Sequence, residues 1–241
     1  MTQIWAHRGA SAYAPENTLP AFALAEELGA DGIELDVQLS ADGEVVVIHD
    51  ETLDRTTDAG GRIAELSLAE IRRADASGGA GERTPVPTLA EVLAAVRPGR
   101  MVVNVELKNL TEFYPGLERA ALDVIAASGM ADRVIVSSFN HWSLKTVQQL
   151  APAMRVGLLL SDGIYLPWEY AADFGAAAIH PHWGFLRVPG LVDYAHAAGV
   201  AVHAWTVNAE ADLVAVIGAG VDAVITNHPD VGLAVLRSLS R

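Results

Sequence analysis

Short apolar runs rich in Val and Ile recur along this chain, and nearly every gap between them carries a helical pattern. The runs are Ile4–Ala6, Gly32–Val37, Val45–Ile48, Met101–Val105, Val134–Val136, Val156–Leu160, Ala178–Ile179, Val200–Trp205 and Ala223–Ile225. The helical patterns fall near Leu19–Leu28, Leu89–Val96, Pro115–Ala127, Trp142–Leu150, Pro167–Phe174, Leu191–Ala198, Ala211–Gly218 and Val231–Leu239. Strands separated by helices of this length form βαβ units and build a parallel sheet. Several runs are apolar without alternation, as expected of strands whose outer face is covered by helices. Gly29, Gly199 and Gly220 follow helical patterns where a left-handed residue closes a helix.

Nine runs exceed the eight strands of a closed barrel by one. Only Gln38–Glu44 separates the second run from the third, too short for a parallel crossover of about a dozen residues. Gly32–Ile48 therefore reads as an antiparallel hairpin. Pairing Gln38 with Glu44 would set Ile48 and His49 beside Glu34 and Ile33, making His49 and Glu34 neighbours. From Asp50 to Pro87 the pattern breaks into glycines, prolines and mixed charge, with at most one short helix at Leu68–Ala74. Without that stretch the chain has about 200 residues, the lower bound for a (β/α)8 barrel. The expectation is α/β: one (β/α)8 TIM-type barrel domain over residues 1–241, with a small insertion, 50–87, after the third strand run.

Composition narrows the chemistry. The chain has 241 residues, 51% of them hydrophobic, with 16 Lys and Arg against 30 Asp and Glu and a net charge of −14. That balance is globular, and it argues against binding nucleic acid or anionic lipid through a basic surface. No run reaches the roughly 18 apolar residues of a spanning helix, so no stable membrane association is expected. The start, Met1–Arg8, lacks the basic-then-apolar layout of a signal peptide, and the expected setting is cytoplasmic. The absence of cysteine removes disulfides, thiolate nucleophiles and Cys-ligated zinc.

Charged residues stand where strands should be apolar. Glu34 and Asp36 share one face of their strand, while Ile33, Leu35 and Val37 take the other. Glu106 and Lys108 share a face at the end of another strand. Buried carboxylates cost several kcal/mol unless paired or metal-bound. Three carboxylates suit a hard divalent cation, Mg2+ or Ca2+; the competing reading is an internal ion-pair network in which Lys108 neutralises one of them. His7 and His49 each end a strand run, on the face where barrel active sites sit, and form a natural acid/base pair. Arg8 suits a phosphate oxygen or a neighbouring carboxylate. Asn17 or Thr18 reads first as a helix N-cap, with a substrate contact as the alternative. Trp205 either walls a pocket or roofs the barrel. His180 and His182 read as supporting or structural, and His141, His196, His203 and His228 have no supporting constellation.

His7-Arg8-Gly9, Pro15-Glu16-Asn17-Thr18, Glu34-Leu35-Asp36-Val37, His49-Asp50 with Thr52–Thr57, Glu106-Leu107-Lys108 and Trp205–Asn208 occur in this order. Together they resemble the glycerophosphodiester phosphodiesterase family, and the resemblance extends to Asp222–Pro229. It implies a (β/α)8 barrel with an insertion after the His-Asp motif. It implies a divalent metal held by Glu34, Asp36 and Glu106, His7 and His49 as acid and base, and Arg8 and Lys108 on the phosphate. The expected reaction is metal-dependent hydrolysis of a small-molecule phosphodiester to glycerol 3-phosphate and an alcohol, with Trp205 among the substrate-binding residues. Near Asn227-His228 the family commonly has an acidic or aromatic residue, which this chain lacks. Three other readings compete: a lysophospholipase D-type hydrolase of a bulkier phosphodiester, a non-catalytic binder of phosphorylated small molecules, and a metal-dependent sugar isomerase. The binder would need no acid/base pair, and the isomerase would leave Arg8 and Lys108 without a role.

Overall fold

A computed structural model describes residues 2–79 and 81–240. Among these, nine strands form one sheet: β1 (Gln3–His7), β2 (Gly32–Leu39), β3 (Val45–Val47), β4 (Val102–Leu107), β5 (Val134–Ser138), β6 (Val156–Leu160), β7 (Ala178–Pro181), β8 (Ala201–Ala204) and β9 (Ala223–Thr226). Eight are parallel neighbours, and β1 pairs with both β2 and β9, so the sheet closes on itself. The ninth, β3, hangs on β2 as the antiparallel arm of a hairpin. The chain is a TIM-type barrel.

The hairpin register differs from the expectation by two residues. Gln38 faces Val46, and Ile48 N–H donates to the Asp36 carbonyl at 3.0 Å. The cause is a turn two residues longer, centred on Asp42: Ser40 Oγ accepts the Glu44 amide at 2.9 Å, Ser40 N–H donates to the Glu44 carbonyl, and Gly43 takes a φ of 86°. A slip of two keeps every side chain on its face. It moves Ile48 from the level of Glu34 to that of Asp36, and His49 from the level of Ile33 to that of Leu35.

Eight helices follow the barrel strands or the insertion: α1 (Leu19–Glu27), α3 (Leu89–Val96), α4 (Leu117–Ser128), α5 (His141–Leu150), α6 (Pro167–Phe174), α7 (Leu191–Ala197), α8 (Glu210–Gly218) and α9 (Pro229–Leu239). Outward strand residues such as Ile33, Leu35, Val103 and Val105 pack beneath them in the main core. Gly29, Gly199 and Gly220 have φ of 86°, 74° and 82°, the left-handed geometry expected after α1, α7 and α8.

The barrel interior is narrow and partly aromatic. Trp5, Ile135, Ala178, Ala223 and Ile225 form an inner cluster. The Trp5 ring lies 4.5 Å from the His203 ring, and His203 Nδ1 is 2.9 Å from His180 Nε2. Glycine is required beside these rings: a Cβ on Gly32 would stand 2.8 Å from Trp5 Cδ1, and one on Gly157 would strike the His180 ring. His203, which the sequence left without partners, is thus half of a buried imidazole pair in the floor of the barrel.

Between β3 and α3 the chain makes one 3-10 turn (Ile63–Glu65) and α2 (Leu68–Ile71), which stops short of the expected Ala74. Ser67 starts α2 with a reciprocal cap to Glu70. Val46, Ile48, Leu53, Ile63, Ile71 and Val86 bury a small second core here, against the hairpin. Among the described residues no helix is long and apolar enough to cross a membrane.

Candidate active site

The parallel register of β2 and β4 sets Glu34 beside Asn104 and Asp36 beside Glu106. All three carboxylates are buried, and one oxygen from each lies within 4.8 Å of the others. Lys108 Nζ sits 2.9 Å from Glu106 Oε1 and 3.7 Å from Asp36 Oδ1. Arg8 Nε is 3.2 Å from Asp36 Oδ2, and the Arg8 amide donates to Glu34 Oε2 at 3.0 Å. Lys108 and Arg8 therefore make the carboxylate contacts of the ion-pair reading.

Two cations do not balance three carboxylates. Burial, then repulsion from Asp36 and Glu106, pushes the Glu34 carboxyl well above its ordinary range. Burial raises Glu106 too, and Lys108 only partly offsets it. Burial also acts on Asp36, but Arg8 and Lys108 outweigh it and hold that group low. Asp36 Oδ1 is buried without a hydrogen-bond partner. A converging oxygen set, a surplus negative charge and an unpartnered buried lone pair fit a hard divalent cation.

His7 ends β1 with its ring at the rim. Its Nδ1 meets Asn227 Oδ1 at 2.7 Å, so Nδ1 carries the proton and Nε2 is left toward Glu34 Oε2, 3.8 Å away. Burial, with Arg8 adding to it, lowers His7 to about 4. The next two residues turn sharply: Arg8 has φ 55° and Gly9 φ 80°. A Cβ on Gly9 would lie 2.7 Å from the Ala21 backbone, which explains the glycine of His7-Arg8-Gly9.

His49 is held by its backbone and by its neighbour. Fully buried Gln38 donates from Nε2 to the His49 carbonyl at 2.8 Å and to the Asp50 carbonyl at 2.5 Å, while Tyr114 donates its hydroxyl to Gln38 Oε1. His49 Nδ1 donates to Asp50 Oδ1 at 2.6 Å, and its Nε2 accepts from Lys108 Nζ at 3.2 Å. The side-chain partner of His49 Nε2 is thus Lys108. His7, His49 and Glu34 still line one cavity of about 120 Å³, together with Arg8, Glu106 and Lys108.

Trp205 and Phe139 form the apolar wall of this cavity, their rings 5.5 Å apart and edge to face. Trp205 Nε1 donates to the His180 carbonyl at 2.6 Å, which fixes the indole as a wall. Thr18 is the N-cap of α1. Asn17, at φ 57°, instead donates from Nδ2 to Asp36 Oδ2 at 2.8 Å. His182 lies against Trp205, away from the carboxylates, and His196, His228 and His141 pair with Asp222, Tyr13 and Tyr170 at the surface. The sequence did not single out Gln38, Tyr114, Asn104 or Asn227. Their only signal was a polar residue inside an apolar strand (Gln38, Asn104) or just after one (Asn227).

The whole chain has close relatives of the same shape. Residues 7–231 match the model of the glycerophosphoryl diester phosphodiesterase family. A glycerophosphodiester phosphodiesterase of Caldanaerobacter subterraneus subsp. tengcongensis is 43% identical over 98% of each chain. A phosphodiesterase of Oleispira antarctica, solved in complex with the product sn-glycerol-3-phosphate, is 33% identical, with a TM-score of 0.90 over 98% of this chain and 97% of that one. A glycerophosphodiester phosphodiesterase structure from Agrobacterium tumefaciens is also 33% identical, with a TM-score of 0.84 over 97% of this chain and 100% of that one. Fold, site and similarity agree, and the chain belongs to the glycerophosphoryl diester phosphodiesterase family.

Proposed function

We propose that this protein hydrolyses glycerophosphodiesters to glycerol 3-phosphate and an alcohol, with His7 and His49 as acid and base, Arg8, Lys108 and Trp205 on the substrate, and Glu34, Asp36 and Glu106 around Mg2+ or Ca2+. The observation that carries this reading is convergence. Two imidazoles with their Nδ1 positions committed elsewhere share one small cavity with Glu34, Glu106 and two cations, and Asp36 converges with both carboxylates just behind it. A binder of phosphorylated molecules would need the cations alone. A sugar isomerase would leave Arg8 and Lys108 idle.

A phosphodiester resists attack because its own negative charge repels a nucleophile. Arg8 and Lys108 offset that charge and the further charge that develops on the phosphoryl oxygens. When bound, the divalent cation supplies Lewis-acid polarisation of a phosphoryl oxygen. One histidine takes the proton of the attacking hydroxyl, from water or from the glycerol 2-hydroxyl, and the other gives a proton to the departing alkoxide. Asn227 and Asp50 engage Nδ1 of each ring, so Nε2 is the atom left for proton transfer in each, with Lys108 Nζ beside that of His49. Trp205 and Phe139 exclude water from one side of the reacting group. Residues 50–87 belong to the same domain and bring His49, Asp50 and Arg55 to the mouth.

The test is hydrolysis of glycerophosphocholine and glycerophosphoethanolamine, with a lysophospholipid alongside, in protein stripped of divalent metal and in protein supplied with Mg2+ or Ca2+. Release of glycerol 3-phosphate only with metal supports the reading. Turnover of the lysophospholipid alone would transfer the site to the bulkier substrate.

A further inference from the structure

The run Thr52–Thr57 contributes no atom to the site cavity, yet one of its side chains joins both histidine-bearing segments to it. Arg55 donates from Nε to Asp50 Oδ2 at 2.6 Å and from Nη2 to Asp50 Oδ1 at 3.0 Å. The same guanidinium donates from Nη1 to Glu16 Oε2 at 2.9 Å and from Nη2 to Glu16 Oε1 at 2.7 Å. Each carboxylate then makes one further contact inward: Asp50 Oδ1 with His49 Nδ1 at 2.6 Å, and Glu16 Oε1 with Arg8 Nη1 at 2.9 Å. The result is an unbroken line of side chains, His49–Asp50–Arg55–Glu16–Arg8, that bridges the insertion and the β1–α1 loop.

We infer that Arg55 is a positioning residue for both halves of the site, holding Asp50 against His49 and Glu16 against Arg8. The inference rests on the proposed roles of His49 and Arg8. Only arginine offers two edges of parallel N–H donors, so it can grip two carboxylates at once; a lysine ammonium cannot. The side chain is 47% exposed and outside both apolar cores, so little of the fold's stability rests on it. Removing Arg55 should therefore leave the barrel folded while releasing the two groups that aim His49 and Arg8. His49 depends on Asp50 for its tautomer and orientation, as a catalytic histidine depends on its carboxylate partner. Arg8 depends on Glu16 for the orientation of its guanidinium, which is held by Glu16 at Nη1 while Nε faces Asp36 Oδ2 at 3.2 Å.

The test measures kcat, KM and Tm on glycerophosphocholine with saturating metal. The variants are Arg55→Ala and Arg55→Lys, made alone and in Asp50→Asn and Glu16→Gln backgrounds, with His49→Ala as reference. Arg55→Ala should lower kcat about tenfold and raise KM severalfold, a loss in the range that small misplacements of reacting groups cause, with Tm shifted by only a few degrees. In Asp50→Asn it should lower kcat no further, and in Glu16→Gln it should raise KM no further. Arg55→Lys should recover at most part of either loss. The inference is overturned if folded Arg55→Ala keeps wild-type kcat and KM, if its losses add fully to those of Asp50→Asn and Glu16→Gln, or if lowered activity only tracks a fall in folded protein. A fully active His49→Ala would instead remove the proposed function itself.

Discussion

Gln38 Nε2 donates to the His49 carbonyl oxygen at 2.8 Å from a position on β2 that is closed to solvent. Its other side accepts the Tyr114 hydroxyl. One buried amide therefore ties the carbonyls of His49 and Asp50 to the barrel wall, and the placement of the His49 ring follows from it.

Gln38→Leu keeps the volume but removes the donor. The orphaned carbonyls should cost about 1–3 kcal/mol of stability, and a shifted His49 should lower kcat roughly 100-fold. Denaturant unfolding and steady-state kinetics check the two parts separately. Unchanged kcat would show that His49 is placed without Gln38.

The barrel floor should make the protein acid-sensitive. Burial lowers His203 from 6.5 to about 4, and burial with His203 as neighbour lowers His180 as well. Between pH 6.5 and 4 the unfolded chain binds protons that the folded chain refuses, so stability is full above 6.5 and falls as pH drops toward 4. His203 alone should account for about 3 kcal/mol. Unfolding measured across this range should show the slope, and His203→Gln should make it shallower, with His180 and His7 keeping the rest.

The carboxylate cluster should trade stability for function. Glu34→Gln removes one of three buried, mutually repelling charges, so the metal-free variant should melt higher than metal-free wild type by about 2–4 °C per kcal/mol relieved. The same change should abolish hydrolysis and the gain in Tm that Mg2+ or Ca2+ gives wild type. Thermal melts with and without metal report both. A lower melting point in metal-free Glu34→Gln would show that the cluster is already satisfied by Arg8 and Lys108.

Asn17 separates backbone from side chain. Its φ of 57° is one glycine accepts, so Asn17→Gly removes the 2.8 Å bond to Asp36 Oδ2 and the 3.4 Å bond that Asn17 Oδ1 accepts from the Asp36 amide. Loss of such a partner of a metal ligand typically costs 10–100-fold in metal affinity. Calorimetric titration with Mg2+ or Ca2+ should show that drop with the fold intact.

Much of this site was legible because strands write their faces into the sequence. The alternation of Glu34 and Asp36 with Ile33, Leu35 and Val37 placed the carboxylates inside, and the short gap after Leu39 identified the hairpin. What could not be read was distance between remote segments. Asn227 meets His7 across 220 positions, and Tyr114 reaches Gln38 across 76; neither pairing leaves a local pattern. The hairpin register also escaped, because Ser40 pairs with Glu44 and closes the turn with its own hydroxyl, two residues longer than the apolar pattern suggests. Because that error was even, it preserved the faces.

The central claim is that His7 and His49 perform the proton transfers beside a metal held by the three carboxylates. The most direct measurement is kcat for glycerophosphocholine in His7→Ala and His49→Ala, with metal occupancy measured in the same samples. Each variant should retain the cation and lose about 10²–10⁴-fold in kcat, the usual contribution of a proton-transfer residue. Near wild-type turnover in either variant with metal bound would contradict the account.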